Sequence, residues 1–141
     1  IPSPGFNEIC MGRFQTLTRE EAASLYPAEC AAYFADQTHV APPDGESLLQ
    51  LQERALTALS AAEKDAGACG RIAIVSHGAL LKTLLSAIAG LPLENFGRFD
   101  VSNGSISVIE SSGGKRRLIT LNDMSHFGDP YASMAATRLL I

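Results

Sequence analysis

The chain has no basic stripe. Eleven Lys and Arg stand against fifteen Asp and Glu, for a formal net charge of −4. A nucleic-acid partner, which needs clustered cations for its phosphates, is therefore not expected. No apolar run approaches the roughly twenty residues of a membrane-spanning helix, and the opening Ile1-Pro-Ser-Pro has no signal-peptide pattern. Neither a membrane partner nor export is expected, and the chain reads as cytoplasmic. Cysteine is scarce: Cys10, Cys30 and Cys69 are widely spaced, with no Cys-x-x-Cys and no histidine at zinc-finger spacing. That excludes a disulfide framework and a structural zinc, and leaves buried or semi-buried free thiols in a reducing compartment. Cys10 lies two residues from Glu8 but has no neighbouring histidine to activate it. Repeats and low-complexity tracts are also missing.

What is present is an ordinary core: hydrophobic residues make up 46% of the chain, enough for one domain at this length. The most informative stretch is 71–90. Ile72, Ala73, Ile74 and Val75 form an apolar run without polar alternation, the pattern of a strand covered on both faces in a parallel sheet. Gly78 permits a tight turn. Leu80, Leu81, Leu84, Leu85 and Ile88 then recur at helical spacing, and Gly90 and Pro92 stand where a helix ends. His77 thus falls at the carboxyl end of a strand and just before a helix N-terminus, where open α/β sheets bind ligands and free amides favour an anion. The alternative is a hydrogen-bonded loop histidine.

Elsewhere, Thr18-Arg-Glu-Glu21 has the form of a capping box and predicts a helix to Tyr26, which Pro27 ends. A second short helix is predicted over 28–35 and a loop over 36–45, with Pro42-Pro43-Asp44-Gly45 as its turn. Glu46 or Ser47 begins a long helix to about Asp65, whose Leu48, Leu51, Ala55, Leu59 and Ala62 form one apolar stripe. After a connection over 91–96, residues 104–110 and 115–122 read as two strands, the first with Ile106, Val108 and, less cleanly, Ile109 apolar and the second with Leu118, Ile119 and Leu121, joined by the hairpin turn Ser111-Ser-Gly-Gly114. The basic cluster Lys115-Arg-Arg117 reads as a solvated strand edge. Residues 123–141 form a separate tail, with Tyr131 to Ile141 either helical or partly disordered.

Four segments, in order, resemble the histidine phosphatase superfamily, the phosphoglycerate mutase-like fold. Ser76-His77-Gly78 after Ile-Ala-Ile-Val resembles its second histidine motif. Phe6-Asn-Glu-Ile-Cys-Met-Gly-Arg-Phe-Gln-Thr-Leu-Thr18 resembles the segment of its catalytic acid, typically Leu-x-Glu-x-x-Phe-Gly-x-Trp-Glu-Gly-Leu-Thr. Pro43-Asp-Gly-Glu-Ser47 resembles the opening of its long helix, and Asn103-Gly-Ser-Ile-Ser107 the start of a strand beside its site. The resemblance covers about residues 6–122. It implies a three-layer α/β sandwich, a mostly parallel sheet with helices on both faces and the strand 71–76 at its centre. It implies Glu8 as leaving-group acid, His77 as catalytic imidazole and phosphoryl donor, and Gly78, Asn103 and Ser105 as phosphate neighbours. The residues alone leave Glu8 open to being a surface carboxylate, Asn103-Gly104 to being only a turn, and Glu46-Ser47 to being only a helix cap. At Thr16 this sequence lacks a glycine the family carries.

The family's nucleophilic Arg-His-Gly segment has no counterpart here; His39 and His126 are the only other histidines, and neither precedes a glycine. The expectation is a C-terminal portion of a longer polypeptide, inactive by itself, whose sheet is completed by an upstream segment or by a second copy in a homodimer. When whole, it is expected to be a metal-independent phosphatase with no cofactor, acting on a small phosphorylated metabolite. The compact stretch from Thr18 to Glu46 favours a broad-specificity or α-ribazole-phosphate type. The alternatives are mutase-type phosphotransfer and a non-catalytic phosphate-binding domain.

Overall fold

The computed structural model describes residues 1–67 and 70–128. Cys69 and the expected terminal helix over 131–141 lie outside the described residues.

The helices form where the caps direct. Thr18 accepts the Glu21 amide and Glu21 accepts the Thr18 amide, and this closed box starts α1, Arg19–Leu25. Pro27 does more than end α1: it occupies the first turn of α2, Pro27–Ala35, where its missing N–H costs nothing. Ser47 and Gln50 form a second capping box at the head of α3, Leu48–Ala66, which ends at Gly67 with φ 72°. The fourth helix, α4, runs Gly78–Ile88 with His77 at its N-cap position.

The packing follows the apolar stripes. Leu48, Leu51, Ala55 and Leu59 of α3 meet Leu80 and Leu84 of α4 and Leu93 from the following turn, in one buried cluster. The buried arc of α4 also includes Thr83 and Ser86. The Thr83 hydroxyl donates to the Leu80 carbonyl at 2.8 Å, and the Thr83 carbonyl accepts Gln52 Nε2 from α3 at 2.8 Å, so the helix pair is pinned as well as packed. A second cluster, Phe14, Ala22, Cys30 and Tyr33, holds α1 and α2 together. Cys30 is buried as expected; Cys10 is exposed.

The sheet departs from expectation. The described residues hold one two-stranded antiparallel sheet, β1 Ile106–Ser112 and β2 Lys115–Asp123, and no parallel pair. Residues 71–77 form no strand. Ile72 is 42% exposed and Val75 95% exposed, while Ile74 packs on the α3–α4 cluster. The buried central strand expected at Arg71–Ser76 is therefore not formed in this chain. A strand is defined by its ladder, and this segment pairs with no strand among the described residues.

Burial alternates along both strands of the hairpin. Ile106 and Val108 point outward, while Ser107 and Ile109 are half-buried; on β2, Leu118 and Thr120 face inward and Ile119 and Leu121 outward. The register is irregular between Ile106 and Val108 and again between Val108 and Ile109, and such irregularities re-aim side chains. Both faces of the hairpin consequently carry apolar residues, as in a sheet covered on two sides. The basic cluster at its turn is taken up in ion pairs: Arg116 with Glu63 of α3 at 2.6 Å and Arg117 with Glu110 at 2.8 Å.

Candidate active site

Glu8 lies on an irregular segment between two single 3-10 turns, Pro4–Phe6 and Gly12–Phe14. Phe6 and Ile9 flank it and pack on the α3–α4 core, which turns the carboxylate toward the head of α4. There Oε1 accepts the Leu80 amide at 3.0 Å and the Ile9 amide at 2.9 Å, and Oε2 accepts the Ala79 amide at 3.1 Å. These are amides that the first turn of a helix leaves without internal partners, so the carboxylate serves as the cap of α4. The N-cap residue itself, His77, contributes no side-chain cap and is exposed. The Gly78 amide precedes the two amides that Glu8 holds, and Gly78 is also exposed. One residue earlier, the Ser76 hydroxyl donates to the Phe6 carbonyl at 2.7 Å. The acid segment and the histidine segment are thus joined at two successive points.

Sequence spacing of about seventy residues between Glu8 and His77 hides this neighbourhood; the structure brings Glu8, His77 and Gly78 together. It does not bring Asn103 and Ser105 into contact with them. Asn103 is exposed, and the Ser105 hydroxyl is buried with no hydrogen-bond partner. Their turn is anchored to β2 instead, where the Asn122 side-chain oxygen accepts the Ser102 amide at 2.7 Å. Gly104 adopts φ 75°, and a Cβ there would lie 2.7 Å from the Phe127 ring, so the turn needs glycine on two counts.

Behind Glu8 opens a cleft of about 320 Å³ lined by Pro4, Asn7, Glu8, Cys10, Asp44, Gly45, Glu46 and Arg54. Arg54 escaped the sequence reading, and Glu46 was read there as a possible helix cap. Glu46 is not the cap of α3; Ser47 is. Glu46 instead accepts the Cys10 amide at 2.9 Å and pairs with Arg54 at 2.6 Å. Burial pushes the Glu46 carboxyl upward, but the hydrogen bonds from Arg54 and the Cys10 amide, together with the Arg54 charge, hold it below the usual range. Arg54 carried no signal, because one arginine inside an amphipathic helix resembles any solvated position. Among the described residues, no three His, Cys, Asp or Glu side chains converge as a metal site, and no helix is long and apolar enough to cross a membrane.

At Thr16 the missing glycine leaves its mark on the backbone. Thr16 sits at φ 67°, the left-handed region that a β-branched residue seldom occupies. Gly12, at φ 50°, closes the same loop: a Cβ there would meet the Pro43 carbonyl oxygen.

The sequence pattern of the histidine phosphatase superfamily (branch 1) matches residues 1–124, and the chain belongs to that superfamily. It is 27% identical over 124 residues to phosphoserine phosphatase 1 of Hydrogenobacter thermophilus, an alignment covering 88% of this chain and 58% of that protein. Among solved structures it is similar to Bacillus stearothermophilus YhfR, with a TM-score of 0.77 and 28% identity, over 88% of this chain and 61% of the other. It shares the fold of the α-ribazole phosphatase from Shigella flexneri, with a TM-score of 0.75 and 24% identity, over 86% and 59% of the two chains. The chain thus spans about three fifths of the length of each of these relatives.

Proposed function

We propose that this chain is the C-terminal part of a cytoplasmic, metal-independent phosphomonoesterase. It hydrolyses a small phosphorylated metabolite through a phosphohistidine whose nucleophilic histidine lies on a segment upstream of residue 1. The observation that carries the reading is the Glu8 carboxylate seated on the Ala79 and Leu80 amides, within three residues of His77. A leaving-group acid and a phosphoryl-holding imidazole must share one small volume, and the seat of Glu8 on the amides that follow Gly78 supports that reading.

The upstream segment is supported by the exposed apolar edge at 71–76 and by the outward Ile106, Val108, Ile119 and Leu121 of the hairpin. A parallel strand beside Ile72–Val75 and a further helical layer over the hairpin complete a three-layer sandwich. A second copy of the chain is the other candidate for that edge.

In the proposed reaction, the upstream imidazole attacks phosphorus and the bond to the leaving oxygen breaks. Glu8 gives its proton to that oxygen. Water then attacks the phosphohistidine, Glu8 takes the water's proton, and phosphate departs with the imidazole restored. His77 and the Gly78 amide hold the equatorial oxygens, where charge is greatest in the transition state. The two short helices α1 and α2, in place of a longer insertion, favour a broad-specificity or α-ribazole-phosphate substrate type.

The test is a pair of rate ratios in the full-length enzyme with EDTA present. Glu8→Gln should slow an alkyl phosphate by about a hundredfold and p-nitrophenyl phosphate far less, because an activated leaving group needs little protonation. Equal slowing of both would remove Glu8 from the acid role.

A further inference from the structure

The irregular segment 4–10 exposes backbone carbonyls that no regular ladder satisfies. One side chain collects most of them. Arg54, from the middle of α3, donates through one terminal nitrogen to the carbonyls of Pro4, Gly5 and Asn7 at 3.1, 3.0 and 3.1 Å, and through the other to the Glu8 carbonyl at 3.4 Å. The second nitrogen and Nε also form a bidentate pair with the Glu46 carboxylate, at 2.6 and 3.2 Å. Glu46 in turn accepts the Cys10 amide, and its own amide donates to the Cys10 carbonyl at 2.9 Å. Gly5 lies so close to Ala58 that a Cβ would collide with that side chain. The backbone on both sides of Glu8 is therefore fixed to α3 through one ion pair, while the Glu8 side chain reaches across to α4.

We infer that Arg54 and Glu46 are positioning residues for the Glu8 carboxylate: they set the backbone from which the acid reaches the head of α4. The inference rests on the assignment of Glu8 as leaving-group acid and deepens it. Their bonds run to each other and to the backbone of residues 4–10. A guanidinium is suited to the task because its planar fork engages a carboxylate and several carbonyls together, which an ammonium cannot do.

The test is a double-mutant cycle in the full-length enzyme, with turnover of an alkyl phosphate and of p-nitrophenyl phosphate measured for Arg54→Lys and Glu46→Gln, each alone and with Glu8→Gln. A misplaced acid predicts that Arg54→Lys slows the alkyl substrate by roughly ten- to a hundredfold and the aryl substrate far less. In the Glu8→Gln background the same substitution should cost under about twofold, because the group it positions is already disabled. Amide exchange is followed in the same proteins. Ala79 and Leu80, which Glu8 covers, should exchange about tenfold faster in Arg54→Lys, with the α3 core amides unchanged. Equal slowing of both substrates, or full additivity with Glu8→Gln, overturns the positioning role, as does faster exchange spread over all of α3. If Glu8→Gln itself shows no leaving-group selectivity, the acid assignment fails and the inference falls with it. Glu46→Gln should reproduce the Arg54→Lys pattern in milder form, and it decides the question should Arg54→Lys fail to fold.

Discussion

Glu8 Oε1 accepts the backbone N–H of Leu80 at 3.0 Å across 72 positions of sequence. One side chain thereby does for α4 what Thr18 and Ser47 do for α1 and α3, but from a distant segment. The consequence is that the candidate acid is also a structural cap, and its substitutions have two separable effects.

Stability isolates the first effect. Glu8→Ala removes the acceptor for the Ala79 and Leu80 amides and should cost about 1 kcal/mol, the usual worth of a helix cap. Glu8→Gln keeps one acceptor oxygen and should cost less. Urea unfolding of this chain, monitored by circular dichroism, measures both; equal stability of the parent and Glu8→Ala would deny the capping role.

Thr16 at φ 67° predicts an unusual gain. A left-handed conformation costs a β-branched residue about 1 kcal/mol or more relative to glycine. Thr16→Gly should therefore raise the unfolding midpoint, against the common loss on placing glycine in a chain. A lowered midpoint would mean that side-chain contacts of Thr16 outweigh the strain.

Acid should weaken the fold through several carboxylates with one sign. Hydrogen bonds to Arg116 hold Glu63 low, the bonds of the Thr18 box hold Glu21 low, and the His39 side chain holds Asp36 low. Glu46 is held low by Arg54 and Cys10 against its burial. A carboxyl depressed in the folded state adds stability in full above its unfolded value, near 4.5 for glutamate, and that stability is lost as pH falls through the lower folded values. Urea midpoints measured from pH 7 to pH 3 should drop mainly below pH 4.5 for the parent, and less steeply for Glu46→Gln. A flat profile would contradict the depressed values.

Val75, 95% exposed, gives a test of the sheet. In this chain alone Val75→Lys should change stability by less than about 0.5 kcal/mol, as surface changes do. In the longer polypeptide, with Val75 inside a completed parallel sheet, the same lysine should cost about 3 kcal/mol, because an unpaired charge is buried. Equal effects in the two contexts would mean that no upstream strand covers this edge.

The helices were legible because their signals are local. Thr-x-x-Glu at 18–21, the Ser47 cap and the stripe from Leu48 to Leu59 each decide their own turn of chain. Residues 71–76 have the composition of a strand but form none among the described residues, because composition does not supply the ladder that defines one. The hairpin was found from its turn residues and apolar positions, but which of those positions face inward is set by packing that the local pattern does not contain. Glu8 and His77 were named as candidates through the resemblance, and Glu46 only as a possible helix cap. The bonds of Arg54 and Glu46 to the 4–10 loop were not legible, because backbone partners leave no trace in residue identity.

The most direct test of the central claim is turnover of p-nitrophenyl phosphate by the full-length protein in EDTA, with His77→Ala beside the parent and the fold of each verified. The account predicts that EDTA leaves the parent rate unchanged and that His77→Ala lowers it by roughly a hundred- to a thousandfold, the range for loss of one transition-state donor. A parent rate abolished by EDTA, or a His77→Ala rate equal to the parent's, would contradict it.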